Sequence, residues 1–105
     1  MADERLRVVI TGMGAMTPLG ETPEEYWNNL VSGKSGIGPM SLCDPDGYPC
    51  RISGEVSGFD PGTYIGSKEA RRMARFTQLA VAAALQAVEA AAYDISKDDP
   101  YSCLL

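Results

Sequence analysis

The sequence predicts an α/β fold, on three observations. A β-branched run at residues 8–10 leads into Gly-x-Gly, a capped amphipathic helix follows it, and residues 67–92 form one long stretch of helix formers. Strand, glycine turn and helix in that order are the start of a sheet covered by helices. At 105 residues the chain has room for one modest domain.

The first element is "RVVITGMGAMTPLG", Arg7 to Gly20. Gly12 and Gly14 match the first two glycines of a dinucleotide-binding loop, but the third position falls on Thr17. Pro18 then disfavours helix at the residue before it, just where a pyrophosphate needs a helix N-terminus. No lysine follows as in a P-loop. What remains is a buried strand that turns sharply and leads into a helix.

That helix is announced by "ETPEEYWNNLVSG". Thr22 can cap it, Pro23 suits the first helical position, and Glu25 completes a capping box. Trp27, Leu30 and Val31 make an apolar stripe, and Gly33 supplies the stop. Residues 32–50 are dense in glycine, proline, serine and aspartate, which reads as loop. "RISGEV" reads as a short strand weakened by Gly54, and "SGFDPGTYIGS" as a turn anchored to the core by Phe59 and Tyr64.

Ser67 is the expected N-cap of the long helix, which no proline or glycine interrupts as far as Ala92. Lys68, Arg71, Arg72 and Arg75 stand at i, i+3, i+4, i+7 and would share one stripe, continued by Gln78, Gln86 and Glu89. Phe76, Ala80, Val81, Ala84, Leu85 and Val88 fill a wide arc opposite, expected to be core. The final "YSCLL" resembles the first half of a buried strand, so the chain looks cut within its first domain.

The net charge of −5 argues against nucleic acid as a partner, because neutralising phosphates takes a basic face. Yet four of the nine basic residues fall within eight positions. Cys43, Cys50 and Cys103 form an odd set without C-x-x-C, and there is no histidine, so no metal site is expected. They read as buried or incidental thiols of a reducing compartment, with a Cys43–Cys50 disulfide across the "DPDGYP" turn as the lesser alternative. Residues 1–6 carry charge and no long apolar run, and no stretch is long enough to span a bilayer. A cytoplasmic chain with no membrane association is expected.

Several motifs in one order carry a resemblance. "VVITGMGAMTPLG", "EEYWNNLVSGKSGIGP", Phe59–Asp60 and "KEARRMARFTQLAVAAALQA" together resemble the N-terminal part of bacterial type II β-ketoacyl-[acyl-carrier-protein] synthases, from about Arg7 onward. The resemblance implies a thiolase-like fold, mixed sheets covered by helices in a homodimer, of which residues 1–105 would be the N-terminal portion. It implies decarboxylative Claisen condensation in fatty-acid elongation, with no cofactor. That reaction uses a cysteine thiolate, two histidines and a nearby lysine. In the family these lie downstream of the matched region, so no catalytic residue is assigned to this chain. Gly12 and Gly14 become structural, letting the chain turn tightly beneath the later active site.

The resemblance also implies a docking role. Synthases of this family receive an acidic helix of acyl carrier protein on a basic patch, part of which matches "KEARRM"; Lys68, Arg71 and Arg72 correspond. A basic stripe in an acidic chain agrees, since it is self-repulsive unless it meets an acidic partner. The plainer reading is a solvated charged face partly relieved by Glu69. Arg75 is left outside the group, as it could turn inward to an acid. Beside the fatty-acid synthase reading stand a non-catalytic carrier-protein-binding module and a polyketide-type ketosynthase.

Overall fold

The structure, a computed structural model, describes residues 5–99. Its elements are helix α1 (Pro23–Val31), strands β1 (Ile37–Pro39) and β2 (Ile52–Gly54), a 3₁₀ turn at Pro61–Thr63, helix α2 (Ser67–Ala70), helix α3 (Arg75–Ala91) and a second 3₁₀ turn at Ile95–Lys97. The strand expected at "YSCLL" lies outside the described residues.

Helix α1 forms as its sequence dictates. The Thr22 hydroxyl accepts from the Glu25 amide at 3.1 Å, and Pro23 fills the first turn. At the other end Gly33 takes φ +80°, its amide donates to the Leu30 carbonyl, and the Lys34 amide reaches back to Asn29. Those two bonds are a Schellman closure. The expected apolar stripe is not covered, however: Trp27 is 61% exposed, and Leu30 and Val31 are open.

The first strand is also corrected. Residues 5–16 run without a strand partner among the described residues, and Val8 is 97% exposed. A β-branched sequence favours extended backbone, but a ladder needs a neighbour to take its N–H and C=O groups. The sharp turn follows at "TPLG". Thr17 and Gly20 exchange backbone hydrogen bonds, and the Thr17 hydroxyl accepts from the Leu19 and Gly20 amides. Neither Gly12 nor Gly14 has a positive φ. Their role here is close approach. A Cβ on Gly14 would stand 1.8 Å from the Ala83 carbonyl oxygen, and one on Gly12 would stand 2.3 Å from that of Ala87.

Strands β1 and β2 pair antiparallel, Ile37 opposite Gly54 and Pro39 opposite Ile52. β2 falls within the strand expected at "RISGEV", whereas β1 arises in a stretch read as loop. Glu55, beyond β2, ties the hairpin: its carboxylate accepts from the Ser41 amide (2.9 Å) and hydroxyl (2.6 Å) and from the Ser53 hydroxyl (2.8 Å). These donors, Ser41 foremost, lower its pKa from 4.5 to about 2. A depressed carboxylate pKa stabilises the hairpin above the ordinary carboxylate range, and the effect is lost as pH falls towards 2. Exchange protection of the Ser41 amide is therefore expected to decline between pH 4.5 and pH 2, and Glu55→Gln is expected to abolish that pH dependence. Protection that ignores pH in the parent would contradict this. Cys43 and Cys50, in the intervening loop, are exposed free thiols, so the disulfide alternative is not formed.

The long helix is broken. α2 ends at Ala70, residues 71–74 turn, and α3 begins at Arg75 with Ala74 extended before it. Gly66, not Ser67, occupies the cap position of α2. Tertiary bonds override propensity at the break. The Gln78 side chain donates to the Ala70 carbonyl at 2.8 Å, and Arg75 is drawn to the Val56 carbonyl.

The covered face of α3 is also not the expected one. Ala82 is fully buried and Leu79, Ala83, Gln86 and Ala87 are partly covered, while Phe76, at 77% exposure, leads an open arc with Ala84, Leu85 and Val88. Alanines at i, i+4 spacing let the Gly12–Gly14 segment lie against the helix backbone, and Gln86 anchors it by hydrogen bonds. The buried apolar set is Phe59, Ile65, Ala70 and Ala82. Phe59 stacks on Tyr64 at 6.2 Å between ring centroids, as the anchoring role expected of both requires. The accessible surface, 8694 Å², is roughly half as large again as that of a compact protein of this mass. No helix among the described residues is long and apolar enough to cross a membrane.

Candidate functional site

The basic cluster lies at the corner between α2 and α3. Lys68 sits within α2, Arg71 is the residue that ends it, and Arg72 occupies the turn that follows. All three are exposed. The stripe expected of one continuous helix therefore becomes a helix end plus a turn, with the three cations still inside five consecutive residues. Backbone bonds hold the corner: the Arg71 amide donates to Ser67, that of Arg72 to Glu69 and that of Met73 to Ala70. Among the described residues, no hydrogen bond or ion pair takes up the side chains of Lys68, Arg71 and Arg72. Glu69 does not relieve them directly.

Arg75 is set apart. Its Nη2 donates to the Val56 carbonyl at 2.6 Å, and its guanidinium lies 5.0 Å from the Phe59 ring centroid. It stays exposed and turns towards a carbonyl and an aromatic face rather than an acid.

Gly12 and Gly14 lie away from the cations, against the alanines of α3. Above them Gln86 gathers three segments. Its Oε1 accepts from the Ala15 amide at 3.0 Å, and its Nε2 donates to the Glu21 carbonyl and, at 2.9 Å, to the Tyr64 hydroxyl. Sequence reading placed Gln86 on a wet face, and a lone glutamine gives no signal of such a role. Glu55 was missed for the same reason: a single acid beside a short strand looks like any surface charge.

The family model of the β-ketoacyl synthase N-terminal domain matches residues 5–103 of this chain. The chain belongs to the β-ketoacyl synthase family. Among curated relatives, 3-oxoacyl-[acyl-carrier-protein] synthase 2 of Synechocystis sp. is 47% identical over 85 residues, covering 81% of this chain and 20% of that protein. The protein of the same name from Staphylococcus aureus strain MRSA252 is 42% identical over 95 residues, covering 90% of the chain and 23% of its relative. Among solved structures, the ishigamide ketosynthase/chain length factor superposes with a TM-score of 0.76 at 36% identity, over 84% of this chain and 22% of that one. The chain thus spans about a fifth of the length of the synthases it matches. Its fold is a partial α/β, thiolase-like one, consistent with the ketosynthase neighbour.

Proposed function

We propose that the chain is the N-terminal part of a 3-oxoacyl-[acyl-carrier-protein] synthase, a transferase of fatty-acid elongation. Its share of the work would be to receive the acidic helix of acyl carrier protein on Lys68, Arg71 and Arg72. The observation that carries the family reading is the 47% identity to a synthase of that name across most of the chain. What supports the docking reading is an exposed corner of three cations, unengaged among the described residues, in a chain of net charge −5.

In the full reaction an acyl group passes from carrier protein to a cysteine thiolate, and malonyl carrier protein then loses carbon dioxide and attacks that thioester. Groups that stabilise the enolate and the oxyanion are needed at the reacting centre. The chain has no histidine, so it supplies neither histidine of that set. Its contribution is to delivery of the substrate. A cytoplasmic homodimer with no cofactor belongs to the same reading. A polyketide-type ketosynthase is the second reading, favoured by the likeness to the ishigamide ketosynthase/chain length factor.

The test is charge reversal. Arg71→Glu combined with Arg72→Glu is expected to weaken carrier-protein binding by about tenfold or more at low salt and much less at high salt, since exposed charges are screened over about 8 Å at physiological ionic strength. Circular dichroism is expected to match the parent. Unchanged affinity in a folded variant would return the cluster to a solvated charged face.

A further inference from the structure

Four cations fall between residues 68 and 75, and the structure commits one of them to the protein itself. We propose that Arg75, together with Gln78, is a positioning residue of the docking corner rather than part of the docking surface. This rests on the carrier-protein reading of Lys68, Arg71 and Arg72.

The corner cannot hold its own shape. α2 has only four residues, and a helix that short does not repay its nucleation. Residues 71–74 that follow are not helical. Two tethers fix them from the α3 side. At one end the Gln78 amide grips the Ala70 carbonyl at 2.8 Å, the same carbonyl that receives the Met73 amide. At the other end Arg75 donates to the Val56 carbonyl at 2.6 Å and lies over the ring of Phe59, which is only 6% exposed and stacked on Tyr64. The guanidinium thereby joins the first turn of α3 to the loop after β2. Arg75 is exposed, but its guanidinium is already engaged by a carbonyl and a ring face, which sets it apart from the three unengaged cations. Arg71 and Arg72 lie between the tethers and Lys68 just before the first; all three keep their side chains unengaged among the described residues, and their direction depends on how the corner is held.

The experiment uses the full-length synthase of the proposed reading, with Arg75→Met and, separately, the charge-neutral Gln78→Leu. Each is assayed with acyl and malonyl thioesters of carrier protein, with the same thioesters of pantetheine, and over a series of salt concentrations. Positioning predicts a KM for carrier-protein substrates raised about fivefold to tenfold, with kcat and pantetheine turnover unchanged. It also predicts that Arg75→Met and the charge-neutral Gln78→Leu share one salt dependence, because neither removes a contacting charge and both act through the same three cations. A flatter salt dependence in Arg75→Met than in Gln78→Leu would make Arg75 a docking contact and overturn the proposal. So would an unchanged KM, or an equal loss with pantetheine substrates, which marks general damage to the fold. Should Arg75→Met not fold, Gln78→Leu decides by the same criteria. The Arg71→Glu, Arg72→Glu variant is run alongside. If it leaves KM unchanged, the docking reading itself fails; if it raises KM while the tether variants do not, only the positioning role fails.

Discussion

Gly14→Ala is expected to destabilise the protein by about 3 kcal/mol, the upper end of what forced overpacking costs. The new Cβ would stand 1.8 Å from the Ala83 carbonyl oxygen and 2.8 Å from its carbonyl carbon. Those are backbone atoms inside α3, so no rotamer change clears the space. Either the 12–15 segment lifts from the helix or the helix bends. Lifting the segment also pulls the Ala15 amide from Gln86, to which it donates at 3.0 Å. Gly38→Ala is the control: nothing lies within 4 Å of its Cβ position and its φ is not positive, so alanine there should be close to neutral. Urea denaturation of the two variants beside the parent measures the difference. Equal midpoints for Gly14→Ala and Gly38→Ala would show that the N-terminal segment does not rest on α3.

Local signals in the sequence were read where local chemistry decides the outcome. Thr22, Pro23 and Gly33 determine α1 because caps act through bonds to neighbouring residues. Phe59 and Tyr64 were legible as anchors because large aromatics in a turn region bury when they can. Elements that depend on distant partners were not. Val8, Val9 and Ile10 carry strand propensity, yet a ladder is made between two strands and these residues have no partner strand among the described residues. The break at residues 71–74 escaped for a related reason. No proline or glycine breaks "EARRMARF", whose like-charge pairs oppose helix only weakly, and the cause lies with Val56, Phe59 and Gln78.

The exposed arc of α3 shows how periodicity misleads. Phe76, Ala84, Leu85 and Val88 are spaced like a core face, but the neighbours that α3 meets here arrive on the opposite side. They come as glycines and backbone amides, which suit alanine and glutamine better than leucine. At the candidate site the identities of the three cations were legible from their clustering. Their geometry was not, because an i, i+3, i+4 argument presumes the helix continues.

Gln86→Leu is expected to cost about 2–3 kcal/mol, because it leaves partly buried backbone groups without partners while roughly keeping the side-chain volume. In the parent one amide serves the Ala15 N–H, the Glu21 carbonyl and the Tyr64 hydroxyl, thereby joining the N-terminal segment, the entry to α1 and the turn before α2 to one point on α3. Tyr64→Phe removes only the hydroxyl and should cost less, since its ring still stacks on Phe59. Once Gln86 is gone, the hydroxyl has lost the donor it accepted from, so Tyr64→Phe in the Gln86→Leu background should cost less than it does alone. That shortfall is the coupling between the two residues. Gln86→Glu sharpens the point. A carboxylate can still accept from Ala15 but offers no donor to Glu21 or Tyr64, and only protonation in the acid range restores one. Its deficit against the parent should therefore shrink as pH falls through the carboxylate range. Denaturant midpoints for the parent and the three variants of the cycle, and for Gln86→Glu at neutral and acid pH, provide the measurement. Strict additivity of Gln86→Leu and Tyr64→Phe, with a pH-independent Gln86→Glu deficit, would show that Gln86 does not join these segments.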